Sequence, residues 1–148
     1  MNHLLFSSLI AAAGLASVFA GCSNSAQEAA QESSNIKPLA IFYGQYVGRH
    51  QGTPPPNEAE FKAFVKENQA TVQGLTIADA DTLFISSRDN KPYVVIYGAA
   101  SGPPGPASQP VVIYEQEGVN GMRYVASSLR AVEEVDEAKF RQYVPQAP

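Results

Sequence analysis

Apolar residues at helical spacing come first in this sequence, short β-branched and aromatic runs follow, and a capped helical segment closes it; that order predicts an α+β fold. The expected architecture is a set of N-terminal helices packed on an antiparallel meander of four to five strands, with a short C-terminal helix. Residues 36–148 are expected to form it as a single α+β domain, a length that suits one domain rather than two.

The first helix is read from Ile36, Leu39, Ala40, Tyr43, Tyr46 and Val47, which recur at three- and four-residue spacing. Pro38 is tolerable only in its first turn, and Gly48 stands near its end. Gly44 is out of place on propensity alone, because glycine costs about 1 kcal/mol against alanine inside a helix. A turn is expected over 52–56. Asn57 then caps a second helix, with Glu60 three residues on as in a capping box. Phe61, Phe64 and Val65 give that helix an apolar stripe, which fades around Asn68.

Beyond Gly74 the period changes. Segments 82–86 and 93–97 are short and rich in β-branched and aromatic residues, and Arg88-Asp89-Asn90-Lys91-Pro92 between them is a turn signal. Together they read as a β-hairpin. Residues 99–110, which include Pro-Pro-Gly-Pro, read as a long loop because proline cannot donate to a ladder. Segments 111–114 and 122–126 make a second antiparallel pair around Gly118-Val119-Asn120-Gly121, and 129–135 adds a further strand. Asp136 caps a closing helix stopped by Pro145. The helices are expected to cover one face of the sheet.

Charge narrows the partners. The chain carries a net charge of −4 and no basic cluster, so binding to a phosphate backbone is not expected. Nothing in the spacing of His, Cys, Asp and Glu predicts a metal or a cofactor. His50 is the one histidine beyond the first few residues, and it stands at a predicted helix end, where a polar or cationic side chain suits the dipole. Three carboxylate pairs are present: Asp79 with Asp81, Glu115 with Glu117, and Glu133 with Glu134. Acid–base hydrolysis needs two such groups held across a cleft. An alternating pair such as Glu115 and Glu117 shares one strand face and reads as a solvated edge. Tyr43, Tyr46, Arg49 and His50 are the candidate binding residues, since tyrosine offers contact area at low entropic cost. Core packing of the two tyrosines is the competing reading.

The N-terminus is an address rather than part of the fold. From Leu4 to Ala20 every residue is apolar or small, and no charge occurs before Glu28. Such a stretch is the apolar region of a secretory signal. It ends in Phe19-Ala20-Gly21-Cys22, which resembles the lipobox of bacterial lipoprotein precursors. The resemblance implies that the Cys22 sulfur receives a diacylglyceryl group, that the chain is cut before Cys22, and that residues 1–21 are the signal peptide. Phe19 departs from the leucine the family favours. Ordinary signal-peptidase cleavage after Ala20 and retention of the stretch as a membrane anchor remain alternatives, the latter because about 20 apolar residues span a bilayer. Cys22 is the only cysteine, so no intramolecular disulfide competes for it. Acyl chains, at about 0.8 kcal/mol per buried methylene, would hold the protein on a membrane. Residues 22–35 are expected to be the lipidated cysteine and a flexible tether, since 23–35 lack any large apolar side chain.

The segments Tyr43-Gly44-Gln45-Tyr46-Val47-Gly48-Arg49-His50, Pro54-Pro55-Pro56-Asn57-Glu58-Ala59-Glu60-Phe61 and Ser87-Arg88-Asp89-Asn90-Lys91-Pro92-Tyr93-Val94-Val95 resemble those of small bacterial lipoproteins without assigned activity. The closing segment is similar to the last hairpin of secreted pilin-like proteins, although Ser128-Leu129 replaces their Asp-Gly turn. The expected role is a non-enzymatic binding or scaffolding protein of the cell envelope, outside the cytoplasm. It would be held to the membrane through Cys22 and partnered by an envelope protein or the cell wall. A small hydrolase of envelope polymers, or an accessory of a secretion or pilus-like machine, is the alternative.

Overall fold

The computed structural model describes residues 34–71, 79–98 and 102–147. The expected signal peptide over 1–21, Cys22 and most of the expected tether lie outside the described residues. Two helices come first, α1 (Ile36–Arg49) and α2 (Glu58–Asn68), followed by a 3₁₀ turn over Ala80–Phe84. Four strands follow: β1 (Val94–Val95), β2 (Val111–Tyr114), β3 (Met122–Ser127) and β4 (Val132–Asp136). Helix α3 (Glu137–Tyr143) completes the set. The strands form one antiparallel sheet in the order β1-β2-β3-β4, so the fold is α+β with a simple meander.

The helix starts obey local chemistry. The Asn57 side chain accepts the Glu60 N–H at 2.9 Å, and that of Asp136 accepts the Lys139 N–H at 2.8 Å, each meeting a donor that the first turn leaves orphaned. Asn35 behaves differently. Its side chain does not cap α1 but reaches across the fold, accepting from Ser87 N–H (3.0 Å) and Tyr93 O–H (2.9 Å) and donating to the carbonyls of Thr82 and Ile85. Ser34 is buried beside it, 3.3 Å from the Tyr93 hydroxyl. Both residues were assigned to the tether on composition; their hydrogen bonds make them part of the domain.

The sheet is covered on both faces. Val95, Tyr97, Val112, Ile113, Tyr124, Ala126 and Val132 join the core under α1 and α2, whereas Val94, Ile96, Val111, Tyr114, Val125 and Val135 pack with Phe140 and Val144 at the other side. Helix α3 therefore lies opposite α1 and α2, where all helices had been expected on one face. The reason sits in β2. A bulge, with Val111 opposite Ser127 and Ile113 opposite Ala126, inserts one extra residue and leaves all four side chains of Val111–Tyr114 buried. A strand buried on both sides needs cover on both sides.

Segment 82–86 is not a strand. Asp79 accepts the Asp81 N–H at 3.0 Å and its carbonyl accepts from the Thr82 hydroxyl at 2.6 Å, which winds Ala80–Phe84 into a 3₁₀ turn. Consecutive Leu83 and Phe84 are both buried on this turn. One bridge, Ile85 to Pro92, is what remains of the expected hairpin, and its second strand shrinks to Val94–Val95. The last strand starts at Val132, and Leu129, 60% exposed, sits in the turn before it.

Gly44 has a packing cause. A β-carbon there would lie 2.9 Å from the Ser128 carbonyl oxygen and 3.3 Å from Arg130 Cγ, so α1 approaches the β3–β4 turn as closely as it does because the side chain is absent. Gly44→Ala should gain about 1 kcal/mol of helix propensity and lose about 1–3 kcal/mol to overpacking. The expected net is a loss of about 1 kcal/mol, read as a lower urea midpoint at unchanged slope.

Candidate functional site

The four candidate binding residues divide between core and helix end. Tyr43 is 1% exposed and donates its hydroxyl to the Ile96 carbonyl at 2.9 Å. Burial pushes its pKa up to about 12. Tyr46 is buried edge-on against Phe61 and Phe64 and stacks on the His50 ring at 3.9 Å between centroids. His50 is the C-cap of α1, its backbone N–H donating to the Tyr46 carbonyl and its Nδ1 lying 2.8 Å from the same oxygen. Arg49 is exposed, lies over the Phe64 ring and hydrogen-bonds Asn68, tying the end of α1 to the end of α2. The two tyrosines thus spend their area inside the core, and the four do not form one exposed surface.

The carboxylate pairs are likewise separated by their surroundings. Asp79 caps the 3₁₀ turn while Asp81 meets Lys66 and Lys62 at 3.3 and 3.4 Å, and these lysines hold its carboxyl below the usual range. Glu133 and Glu134 point to opposite faces of β4. Glu133 pairs with Lys139 and accepts from Tyr143, and Glu134 pairs with Arg88 at 2.8 Å. Glu117 is exposed and pairs with Lys91.

Glu115 is the correction that matters. It had been read as part of a solvated edge, yet it is 0% exposed. Position 115 continues β2 inward: its backbone N–H donates to the Tyr124 carbonyl at 3.0 Å. One carboxylate oxygen accepts the Ser86 hydroxyl at 2.9 Å, and the other accepts the Tyr124 N–H at 2.8 Å and Arg88 at 3.3 Å. Arg88 lies 4.1 Å above the Tyr124 ring and bridges from Glu115 to Glu134. Burial raises the Glu115 pKa and outweighs the opposing pull of the Tyr124 N–H, Arg88 and Ser86. Neighbouring Asp89 is also raised by burial, but N–H groups of Lys91 and Gly118, at 3.0 and 2.9 Å, win and leave it lowered. This cluster staples loop 86–91 to the sheet. The side-chain partners of Glu115, Arg88 and Ser86, are 27 and 29 residues away in the chain, so no local pattern announces them.

The polar groups around Glu115 bond one another. Cavities of about 540, 310 and 300 Å³ open on the surface, and Glu115, Ser86, Glu134 and His50 line none of these three. The largest lies between α2, the 3₁₀ turn and β1, and is lined by Glu58, Lys62, Asp81, Phe84, Tyr93 and Tyr97 among others. Among the described residues no group of three or more His, Cys, Asp or Glu is placed to hold a metal, and no helix is long and apolar enough to cross a membrane. Compared with family models, curated proteins and solved structures, the chain matches none.

Two outcomes follow for the cluster. Arg88→Met keeps an apolar stem over Tyr124 but strands a buried carboxylate, and should cost about 3–5 kcal/mol. Glu115→Gln should cost less, and the double variant should be non-additive in a denaturation cycle because both changes act on one contact. The second outcome concerns pH. With its folded pKa raised, Glu115 holds its proton where the unfolded chain has released it. Its contribution is fully present below the ordinary glutamate value of about 4.3 and is lost as pH rises through the raised one. Urea unfolding between those limits should show wild-type stability falling with pH relative to Glu115→Gln.

Proposed function

We propose that the chain is a membrane-anchored lipoprotein of the cell envelope, held outside the cytoplasm through Cys22, whose domain binds or scaffolds another envelope component and catalyses no reaction. The observation that carries this reading is the ending of the uncharged apolar leader in Phe19-Ala20-Gly21-Cys22, with Cys22 the only cysteine in the chain. An acylated cysteine followed by a polar segment stands a domain off a membrane and needs nothing further from the fold.

The domain's chemistry supports the non-catalytic half. A general base must reach a substrate proton, and the described carboxylates of the three pairs are occupied with lysines, arginines or turn N–H groups. Hydrolysis through a facing pair also needs carboxyls about 5–10 Å apart across open space; Glu115 and Glu134 instead share Arg88 as a bridge. One observation favours a second reading, a place in a secretion or pilus-like machine: α1 lies across β2 and β3. The packing of α3 on the other face goes beyond a simple helix-on-sheet arrangement.

Growth with radiolabelled palmitate should label the wild-type protein, and Cys22→Ser should abolish the label; an unlabelled wild type overturns the anchor. Gentle crosslinking in intact cells should then trap a specific partner. A chain that stays alone overturns the binding role.

A further inference from the structure

The cavity of about 540 Å³ lies beside an unfinished ladder. Among the described residues, strand β1 is at the sheet edge and pairs only with β2. On that side Val94 faces Tyr114, and Ile96 donates its N–H to the Val112 carbonyl at 2.8 Å. Backbone groups alternate in direction along a strand, so those of Tyr93, Val95 and Tyr97 turn to the open side. Tyr93 spends its N–H on the Phe84 carbonyl at 2.8 Å, and where the chain bends away Gly98 donates to the Pro55 carbonyl at 2.9 Å. Between these two bonds, no described residue meets the outward N–H and C=O of Val95 or the N–H of Tyr97. The side chains of Tyr93, Val95 and Tyr97 meanwhile line the cavity.

We propose that β1 accepts an extended peptide as an added strand and that the cavity receives one of its side chains, a lysine or arginine. The open main-chain donors and acceptor specify another polypeptide backbone, whose own groups alternate at matching spacing. The cavity specifies the side chain. Phe84, Val95 and Tyr97 give it an apolar, aromatic wall, and Glu58, Asp79 and Asp81 stand against Lys62, which pairs with Glu58 and Asp81, and Lys66, which pairs with Asp81 from outside the lining, so the rim keeps one net negative charge. A long aliphatic stem with a cationic head matches both parts, since such side chains bury the stem and keep the charge near an acidic rim. This inference deepens the partner-binding reading and rests on it for its place in the cell.

The test uses the full chain, isotope-labelled and held in non-ionic detergent, with the blocked pentapeptide Thr-Val-Lys-Val-Thr as probe. The Val95 and Tyr97 amide signals should shift on titration, and their hydrogen exchange should slow by about tenfold or more at saturation. The same peptide with glutamate at the centre should bind about tenfold more weakly or worse, and a peptide methylated on its central backbone nitrogen should lose binding. No shift at about 1 mM lysine peptide, a concentration that registers weak complexes, overturns the proposal. So does binding that leaves Val95 unmoved, or equal binding of the lysine and glutamate peptides. If the Val95 and Tyr97 signals move with protein concentration alone, the edge pairs with a second copy of the chain, and the peptide assignment falls. Because the readout is the purified chain, palmitate labelling and crosslinking in cells can each fail without touching this result, and the reverse holds too.

Discussion

A carboxylate with no exposed surface must be met by donors, or the fold bears the cost of an uncompensated buried charge. Glu115 is met from two directions: Ser86 and Arg88 come from the loop before β1, and the Tyr124 N–H comes from β3. Those contacts fix where loop 86–91 sits. The loop in turn fixes the start of β1, because Ser86 also donates its N–H to the Lys91 carbonyl at 2.8 Å and Asp89 receives the Gly118 N–H from the β2–β3 turn. Gly118 has φ +72°, and a β-carbon there would run into the Met122 carbonyl, so that turn tolerates nothing larger.

From this anchor the rest of the packing extends along β2. The bulge at Val112 leaves every side chain of the strand buried, which demands helices above and below. Helices α1 and α2 with the 3₁₀ turn supply one cover through Tyr43, Phe61 and Phe84, whose rings meet edge to face at 5.6 Å. Helix α3 supplies the other through Phe140, edge-on to Tyr114 at 5.2 Å and under the guanidinium of Arg123 at 4.3 Å. The N-terminal end is tied in by Asn35, whose four hydrogen bonds join the start of α1 to segment 82–93.

Where the determinants were local, the sequence was readable. The caps at Asn57 and Asp136, the helix from Ile36 and the strand at Val111–Tyr114 depend on spacing within a few residues, and each stands where the pattern placed it. Segment 82–86 was misread because a short apolar run has no period of its own; the Asp79 hydrogen bonds decide for a turn. Gly44 looked like a defect in α1 until the Ser128 carbonyl appeared beside it. Glu115 and Asn35 were assigned to solvent and tether because polar residues usually belong there. Ser86 and Arg88, which meet Glu115, and the groups of segment 82–93 that meet Asn35 lie more than 25 residues distant in sequence. The edge of β1 was equally hidden, since strand order is a property of the assembled sheet.

The division of polar groups also says where a function would have to reside. Inside the domain, the charged and hydroxyl groups around Glu115 are satisfied by one another, and a satisfied buried network rigidifies a fold without offering anything to a ligand. Outside, lysines and an arginine pair with carboxylates at the surface of α2 and α3, contacts that contribute little to stability. Besides the buried Ser127 hydroxyl, unspent main chain remains among the described residues on the outer side of β1, between the Tyr93–Phe84 and Gly98–Pro55 bonds. Open edges invite pairing, and proteins commonly cover or shorten them. Here β1 is two residues long and, among the described residues, flanked by a cavity rather than by a covering element. A short edge between two closed bonds leaves room for one partner strand, which is what the proposed binding role would use.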